Sequence, residues 1–190
     1  LNPFPVSDFS PDNNAVVIID AEGNQHATYR DSEFDAMPIE PALDAAGSEV
    51  RIGVELPGRT VYAQIWNVRV GRVDLYLLDT NIPENLSEED QGLTGQLYGG
   101  DREMRIKQEI ILGLGGARLL IILGFTIRKY HLNEGHASLL TLELLNRSRH
   151  LFHETWDERS VWNSREVAEM CVFTTHTPVA AGHDSFPYPL

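Results

Sequence analysis

Two polar segments of the sequence each follow an apolar stretch, and they occupy residues 133–136 and 174–184. Both gather amide, carboxylate, hydroxyl and imidazole groups, which together can pair with the many donors and acceptors of a polyhydroxylated ligand. Sugar hydroxyls need such paired donors and acceptors rather than net charge. The candidate substrate-binding side chains are Asn133, Glu134, His136, His176 and Thr177.

A purely structural interpretation also accounts for these residues. Asn133 and Glu134 could cap the helix that follows them, and the threonines of residues 174–177 could satisfy the end of a strand. A metal site is disfavoured, because the order H-x-x-E-x-H from His131 to His136 does not set two histidines four apart on one helix face. The residues therefore leave sugar binding and capping open and predict no metal ligand.

Other reactive residue types have simpler explanations. The glycine-rich run at residues 113–116 follows a predicted helix rather than a strand, so it indicates close helix packing and not a phosphate-binding loop. Arg105 and Lys107 alternate with acidic residues in the pattern typical of a salt-bridged helix face. Cys171 lies in the apolar run 170–173, which predicts a buried strand and a poor nucleophile.

Hydrophobic periodicity divides the chain into two parts behind a short lead-in. Residues 15–78 alternate like short strands separated by turn-forming residues, which predicts an antiparallel β-meander. Residues 79–190 change to a helical period and then read strand, helix, helix, strand, which predicts a right-handed parallel crossover. Residues 1–14 hold three prolines and no apolar period, so we expect no regular structure there. The predicted fold class is α/β, a β-meander followed by part of a Rossmann-like parallel sheet.

The crossover determines where the two polar segments should lie. The strands are predicted at residues 16–19, 50–56, 61–66, 73–78, 126–132 and 170–174, and the helices at residues 104–114, 137–149 and 157–169. Asp101 is predicted either to cap the first helix or to be an acidic residue of its first turn. Since the carboxyl ends of parallel strands meet at one edge, where open sheets bind ligands, we expect residues 133–136 and 174–184 to be neighbours.

Composition limits the possible partners. Among 190 residues there are 28 acidic and 15 basic ones, a net charge of −13, which is the wrong sign for binding nucleic acid or an anionic membrane. The single cysteine allows no internal disulfide, and no basic-then-apolar leader opens the chain, so we expect a reducing, cytoplasmic location. Residues 110–127 reach membrane-helix length, but Arg118 and several glycines make a buried helix the better prediction.

Several longer motifs follow one another in a familiar order. They lie at residues 56–61 (LPGRTV), 76–85 (YLLDTNIPEN), 97–109 (LYGGDREMRIKQE), 113–116 (GLGG), 131–136 (HLNEGH) and 172–183 (VFTTHTPVAAGH). Over roughly residues 20–187 the sequence resembles the α-glucan (glycogen, starch and maltodextrin) phosphorylases, most closely the bacterial and archaeal type. A series of long motifs in register makes chance similarity a poor explanation.

The resemblance implies a two-lobed glycosyltransferase that transfers a glucosyl unit from an α-1,4-glucan to inorganic phosphate, giving glucose 1-phosphate with retention. It implies pyridoxal phosphate as the cofactor, whose phosphate group relays a proton. It places His176 on the glucosyl unit, with Glu134 and His136 lining the neighbouring wall. The implied partners are an α-1,4-glucan or maltooligosaccharide and phosphate, and the full-length form is expected to be a homo-oligomer.

The sequence also departs from the family. The family's cofactor lysine lies late in its second lobe, whereas the lysines here are Lys107 and Lys129, at other matched positions, and residues 1–14 match nothing in the family. A glycine-rich loop and the phosphate-binding basic residues are missing too. We therefore expect residues 15–190 to be a partial N-terminal catalytic lobe, either a truncated product or an excised fragment, with no bound cofactor and no activity alone. The alternatives are a noncatalytic carbohydrate-binding remnant and a truncated non-functional product.

Overall fold

A computed structural model describes residues 6–8, 14–19, 21–30, 38–95, 100–148, 162–178 and 185–186. The strands are β1 (Val6–Asp8), β2 (Asn14–Ile19), β3 (Gln25–Arg30), β4 (Ile39–Pro41), β5 (Arg51–Leu56), β6 (Arg59–Val70), β7 (Val73–Asp79), β8 (Tyr130–Asn133) and β9 (Cys171–Thr174). The helices are α1 (Glu88–Gln91), α2 (Arg102–Ile110), α3 (Gly116–Ile122), α4 (Leu140–Arg147) and α5 (Ser164–Met170), and a π-helical turn, Ile111–Gly115, joins α2 to α3.

The predicted antiparallel meander is formed by β5, β6 and β7. Tight turns connect these strands, and Gly58 and Gly71 occupy them with φ of 77° and 63°, a backbone conformation that glycine adopts without steric cost. Strands β4 and β5 both pair with β6, and β1 runs parallel to β7 at the other side of the sheet. The predicted meander is therefore confirmed for β5, β6 and β7, and it is extended on both sides. The strand predicted at residues 16–19 instead forms a separate two-stranded sheet with β3.

Besides β4 (Ile39–Pro41), which pairs with β6, two further strands lie where the sequence predicted none. Val6–Asp8 pairs with β7, within the lead-in for which we expected no regular structure, so that expectation was wrong for these residues. Gln25–Arg30 forms β3 in a hairpin with β2, although its polar sequence lacks apolar alternation. In both cases the neighbouring strand satisfies the backbone hydrogen bonds, and an apolar face is not needed to select the conformation.

The core of the meander is packed against one continuous helical segment. Ile52 and Leu78 from the sheet and Leu119 from α3 belong to one buried cluster. Gly115 lies so close to the sheet that an added Cβ would be 2.8 Å from Ile52 Cδ1, and one added to Gly113 would be 2.8 Å from the backbone nitrogen of Leu140. The glycines at 113–116 therefore allow close packing, as predicted, with the sheet on one side and α4 on the other.

The polar loop after β7 has a structural role. The side chain of Asn85 accepts a hydrogen bond from the Tyr62 backbone N–H at 2.9 Å and donates to the Thr80 carbonyl at 2.7 Å. The Asp79 carboxylate accepts from the Gln64 amide at 2.7 Å and from the Trp66 indole N–H at 3.0 Å. These bonds attach the loop to the sheet edge, so its polar residues are explained without a ligand.

The second part of the chain contains the predicted strand, helix, helix, strand. Strands β8 and β9 pair in parallel, which confirms the crossover connection, and α4 and α5 lie between them in sequence. The predicted helix 157–169 is observed from Ser164, since residues 157–161 lie outside the described residues. Prediction of a buried strand at 170–174 was wrong in one respect: Val172 and Phe173 are 47% and 57% exposed, because no described element covers them.

Arg118 on α3 connects the two parts directly. Its guanidinium donates to the Gly53 carbonyl at 2.5 Å and to Glu55 Oε2 at 2.7 Å on β5, and to Glu143 Oε2 on α4 at 3.1 Å. Glu143 is buried and also accepts from Arg147 at 2.8 Å. Within the described residues, the apolar segment that carries Arg118 and every other helix are too short or too polar to cross a membrane.

Candidate functional site

The two predicted polar loops meet at the carboxyl end of the parallel strand pair. In the β8–β9 register Asn133 is opposite Thr174, and the Glu134 backbone N–H donates to the Thr174 carbonyl at 2.8 Å. The expected proximity is confirmed for residues 133–136 and 174–178. The remainder of the second loop, 179–184 with its His183, lies outside the described residues.

Glu134 is the residue that joins the loops. Its Oε1 atom accepts hydrogen bonds from the backbone N–H groups of His176 at 2.7 Å and Thr177 at 2.8 Å, and its Oε2 accepts from the Thr175 hydroxyl at 3.0 Å. The side chain is 6% exposed. These bonds, first the one from the His176 backbone, lower the pKa of Glu134 to about 2, so the group is a carboxylate at neutral pH.

The backbone of Glu134 is in an unusual conformation. Its φ is 58°, and among the described non-glycine residues it alone has a positive φ. Side chains with a Cβ rarely occupy this left-handed region unless the surrounding contacts hold them there. The position is therefore a strained turn kept in place by its hydrogen bonds.

His176 and Asn133 are the exposed members of the site. The His176 side chain is 61% exposed, and its Nδ1 lies 3.3 Å from Glu134 Oε1. A neighbouring carboxylate favours the proton on Nδ1, which leaves Nε2 as an acceptor. No described residue hydrogen-bonds that Nε2, and Asn133 is exposed at the end of β8, in register with Thr174. This edge can therefore offer acceptors and donors to hydroxyl groups.

His136 is oriented toward α2 rather than toward the other loop. Its Nδ1 lies 3.4 Å from Glu109 Oε1 and 3.5 Å from the Arg105 guanidinium. The structure thus brings Asn133, Glu134, His176 and Thr177 together and places His136 at the adjoining helix. Sequence spacing gave no sign of this division.

The structure can be compared with the interpretation in which these residues only cap a helix or satisfy a strand end. Helix α4 begins at Leu140, and its N-cap residue, Leu139, makes no side-chain capping bond, so neither Asn133 nor Glu134 caps it. In the second loop, the Thr174 hydroxyl is 2.6 Å from His131 Nε2, a side-chain contact between the two strands that satisfies no backbone group of a strand end. Sequence reasoning missed the His131–Thr174 contact, which only the parallel register reveals.

Arg105, Lys107 and Cys171 have the structural roles that the sequence pattern predicted. Lys107 is paired with Glu103 at 2.6 Å, and Arg105 lies 3.8 Å from Glu109, so this helix face is salt-bridged. Burial raises the pKa of the Cys171 thiol, which makes it a poor nucleophile at neutral pH. The described part of the chain contains no group of three or more histidine, cysteine or acidic side chains that could hold a metal ion.

The fold and the site together define an α/β segment whose polar loops lie where open parallel sheets bind ligands. In sequence the chain is 40% identical over 173 residues to a maltodextrin phosphorylase of Thermococcus litoralis and 43% identical over 176 residues to a glycogen phosphorylase of Mycobacterium tuberculosis. It is 32% identical over 174 residues to a glycogen phosphorylase of Aquifex aeolicus. By sequence, the chain matches a segment of the glycogen and maltodextrin phosphorylase family.

The alignments cover most of this chain but only a small share of each relative. The alignments cover 88–90% of this chain but only 20–24% of the relatives, so the chain spans about a fifth of the length of the phosphorylases it matches. No family model matches the chain, and no solved structure matches it.

Proposed function

We propose that this chain is the part of an α-glucan phosphorylase that holds a glucosyl unit of the glucan. The whole enzyme would transfer that unit from an α-1,4-glucan to inorganic phosphate, giving glucose 1-phosphate with retention. The relatives are named maltodextrin and glycogen phosphorylases, which supports this activity. The observation that carries the proposal is the convergence of residues 133–136 and 174–178 at one sheet edge, with His176 exposed.

Each side chain would have a defined part in holding the sugar. His176 would accept a hydrogen bond from a sugar hydroxyl through Nε2, and the carboxamide of Asn133 could both donate and accept. Thr177 follows His176 on the same loop, and its hydroxyl would be a further contact to the sugar. Glu134 and His136 would line the neighbouring wall, His136 from its position beside Glu109. Such neutral, paired hydrogen bonds suit a polyhydroxylated ligand.

The residues present do not fit covalent binding of pyridoxal phosphate. When bound in a full-length enzyme, that cofactor supplies a phosphate group that relays a proton. A Schiff base needs an available lysine, but Lys107 Nζ lies 2.5 Å from Glu89 Oε1, and the Lys129 ammonium donates to the Glu169 carbonyl. We therefore expect this chain alone to bind no cofactor and to have no phosphorolytic activity, and we derive no step through the cofactor.

The proposal also covers the partners, the location and the oligomeric state of the parent enzyme. The net charge of −13 argues against nucleic acid as a partner. A glucan and phosphate as partners, and a homo-oligomeric parent, are proposed from the family resemblance, and a cytoplasmic location is proposed from the single cysteine. A noncatalytic carbohydrate-binding remnant would use the same loops, so it is the second candidate.

The proposal is tested by titrating the isotopically labelled chain with maltoheptaose and following its amide NMR signals. We expect shifts concentrated at Asn133, His176 and Thr177, with cellohexaose, a β-1,4 glucan, as the linkage control. His176→Ala should weaken binding by about tenfold or more, because it removes one or two hydrogen bonds. The proposal fails if maltoheptaose leaves these signals unchanged, or shifts them no more than cellohexaose does.

A further inference from the structure

The carboxylate of Glu134 is engaged before any ligand arrives. We propose that Glu134 is a positioning residue and not a sugar contact: it fixes residues 175–177 so that His176 is presented at the sheet edge. This inference rests on the proposed function for its purpose and deepens it by separating the residue that aligns the site from those that touch the ligand.

The acceptor capacity of the carboxylate is the first argument. A carboxylate offers about four acceptor positions, and two backbone N–H groups already occupy Oε1 while the Thr175 hydroxyl occupies Oε2. The side chain is also buried, with 6% of its surface exposed. A ligand at this edge would therefore reach the Asn133 and His176 side chains much more readily than the Glu134 carboxylate.

The strained backbone is the second argument. If the chain needed only a left-handed turn after β8, glycine or asparagine would adopt it at lower cost than glutamate. Glutamate at φ 58° is explained if the long carboxylate is required to reach the second loop. The Glu134 N–H bond to the Thr174 carbonyl, at 2.8 Å, holds the same residue from the backbone side.

The position of the His176 ring is the third argument. The oxygen that accepts the His176 backbone N–H at 2.7 Å also lies 3.3 Å from His176 Nδ1. One carboxylate oxygen thus orients both the backbone and the imidazole of this residue. No described residue hydrogen-bonds the other ring nitrogen, Nε2, and the side chain is 61% exposed, so Nε2 is available to a hydroxyl group.

The first experiment needs no carbohydrate: the His176 and Thr177 amide signals of the labelled chain are followed from pH 7 downward. Because the pKa of Glu134 is lowered from its ordinary value of 4.5 to about 2, its stabilisation of the loop is present above pH 4.5 and is lost only as the pH falls through about 2. Histidine protonation can move these signals between pH 7 and 5, so the expected result is no shared step near pH 4.5 and a joint shift below it. A shared step near pH 4.5 would overturn the inference.

Variants distinguish Glu134 from its titratable neighbours, which are His176 on the loop, His131 on β8, and His136 with Glu109 and Arg105 at α2. Glu134→Gln should move the His176 and Thr177 amide signals at pH 7 and remove their acid step. Asp90→Asn is the control, since Asp90 on α1 is a buried carboxylate whose partner is Arg59 on β6, at 2.8 Å. It should leave both loop signals and their acid step unchanged.

The second experiment is a maltoheptaose titration of the Glu134→Gln variant. In the Glu134→Gln variant we expect the sugar-induced shift at His176 to be lost while the signals of the meander keep their wild-type positions. Wild-type sugar response in this variant would overturn the positioning role. If maltoheptaose moves no signal even in the wild-type chain, the proposed function fails, whereas the Glu134 inference is still decided by the acid titration and the amide positions at pH 7.

Discussion

The meander core and the loops that follow the parallel strand pair are held together by different interactions, whereas Tyr130 and Leu132 of β8 are buried in a second apolar cluster. In the meander, Val54 and Leu78 are 0% exposed, and apolar side chains of the sheet pack against the helical segment. In the parallel pair, Val172 and Phe173 are largely exposed, and the loops that follow are joined by hydrogen bonds to one buried carboxylate. The comparison indicates that apolar burial stabilises the fold, whereas polar contacts determine the shape of the candidate site.

This division fits the usual relation between a scaffold and its site. Binding loops are commonly positioned by a rigid framework and contribute little to its stability. Here the framework is the meander with α2 and α3, and the loops are residues 133–136 and 174–178. Changes in the two regions should therefore have different consequences, and three substitutions measure this difference.

The largest effect is expected in the meander core. Leu78→Ala removes a fully buried side chain and should lower the free energy of unfolding by about 2–5 kcal/mol. Phe173→Ala is the matched control in the parallel pair and should cost much less, because more than half of that side chain is exposed. Urea unfolding of both variants measures the difference. Equal losses would contradict the proposed division.

A smaller effect is expected where the helical segment meets α4. A Cβ at Gly113 would lie 2.8 Å from the Leu140 nitrogen and 3.0 Å from the Leu139 carbonyl carbon, and backbone atoms cannot move aside easily. Gly113→Ala should therefore destabilise the chain by about 1–3 kcal/mol.

Gly135→Ala is the control for this substitution, since a Cβ there would meet no atom within 4 Å. Thermal unfolding of both variants in one buffer gives the two melting temperatures, and the Gly113 variant should have the lower one. If the Gly113 variant melted like the Gly135 variant, the close contact with α4 would not be a constraint on stability.

The smallest effect on stability is expected in the site itself. Thr175→Val keeps the shape of the side chain and removes its 3.0 Å bond to Glu134 Oε2. Global stability should fall by about 1 kcal/mol or less, because the carboxylate keeps its two backbone N–H partners, while the amide signals of residues 175–177 move. A large loss of global stability would show that the site loops are part of the scaffold after all.

Much of the fold could be predicted from the sequence, because its elements follow strong local patterns. The alternation in residues 50–78 predicted β5, β6 and β7, and the Asp101 cap is observed with a 3.0 Å bond from the Met104 N–H. Strand β3 was missed because Gln25–Arg30 carries no apolar alternation, and its pairing with β2 is a tertiary contact. The exposure of Phe173 was missed because an apolar run predicts burial without saying which element provides it.

For the candidate site, the sequence predicted the loops but not the roles within them. Two loops after parallel strands were expected to meet, and Glu134 does contact residues 175–177. Residue type alone could not show that Glu134 adopts a left-handed backbone or that His136 is oriented toward Glu109, because both depend on distant residues. Those three-dimensional contacts change the expected part of Glu134 from contacting the ligand to aligning its neighbours.

The contacts of Arg118 also affect how the chain folds. Its bond to the Gly53 carbonyl joins residues 65 positions apart, and its bond to Glu143 joins residues 25 positions apart. Both loops must close before the guanidinium has all its partners, and closing a loop costs conformational entropy before the contact repays it. Opening α4 would in turn deprive the buried Glu143 of its partner on α3, so meander and crossover unit should lose their structure in one cooperative step.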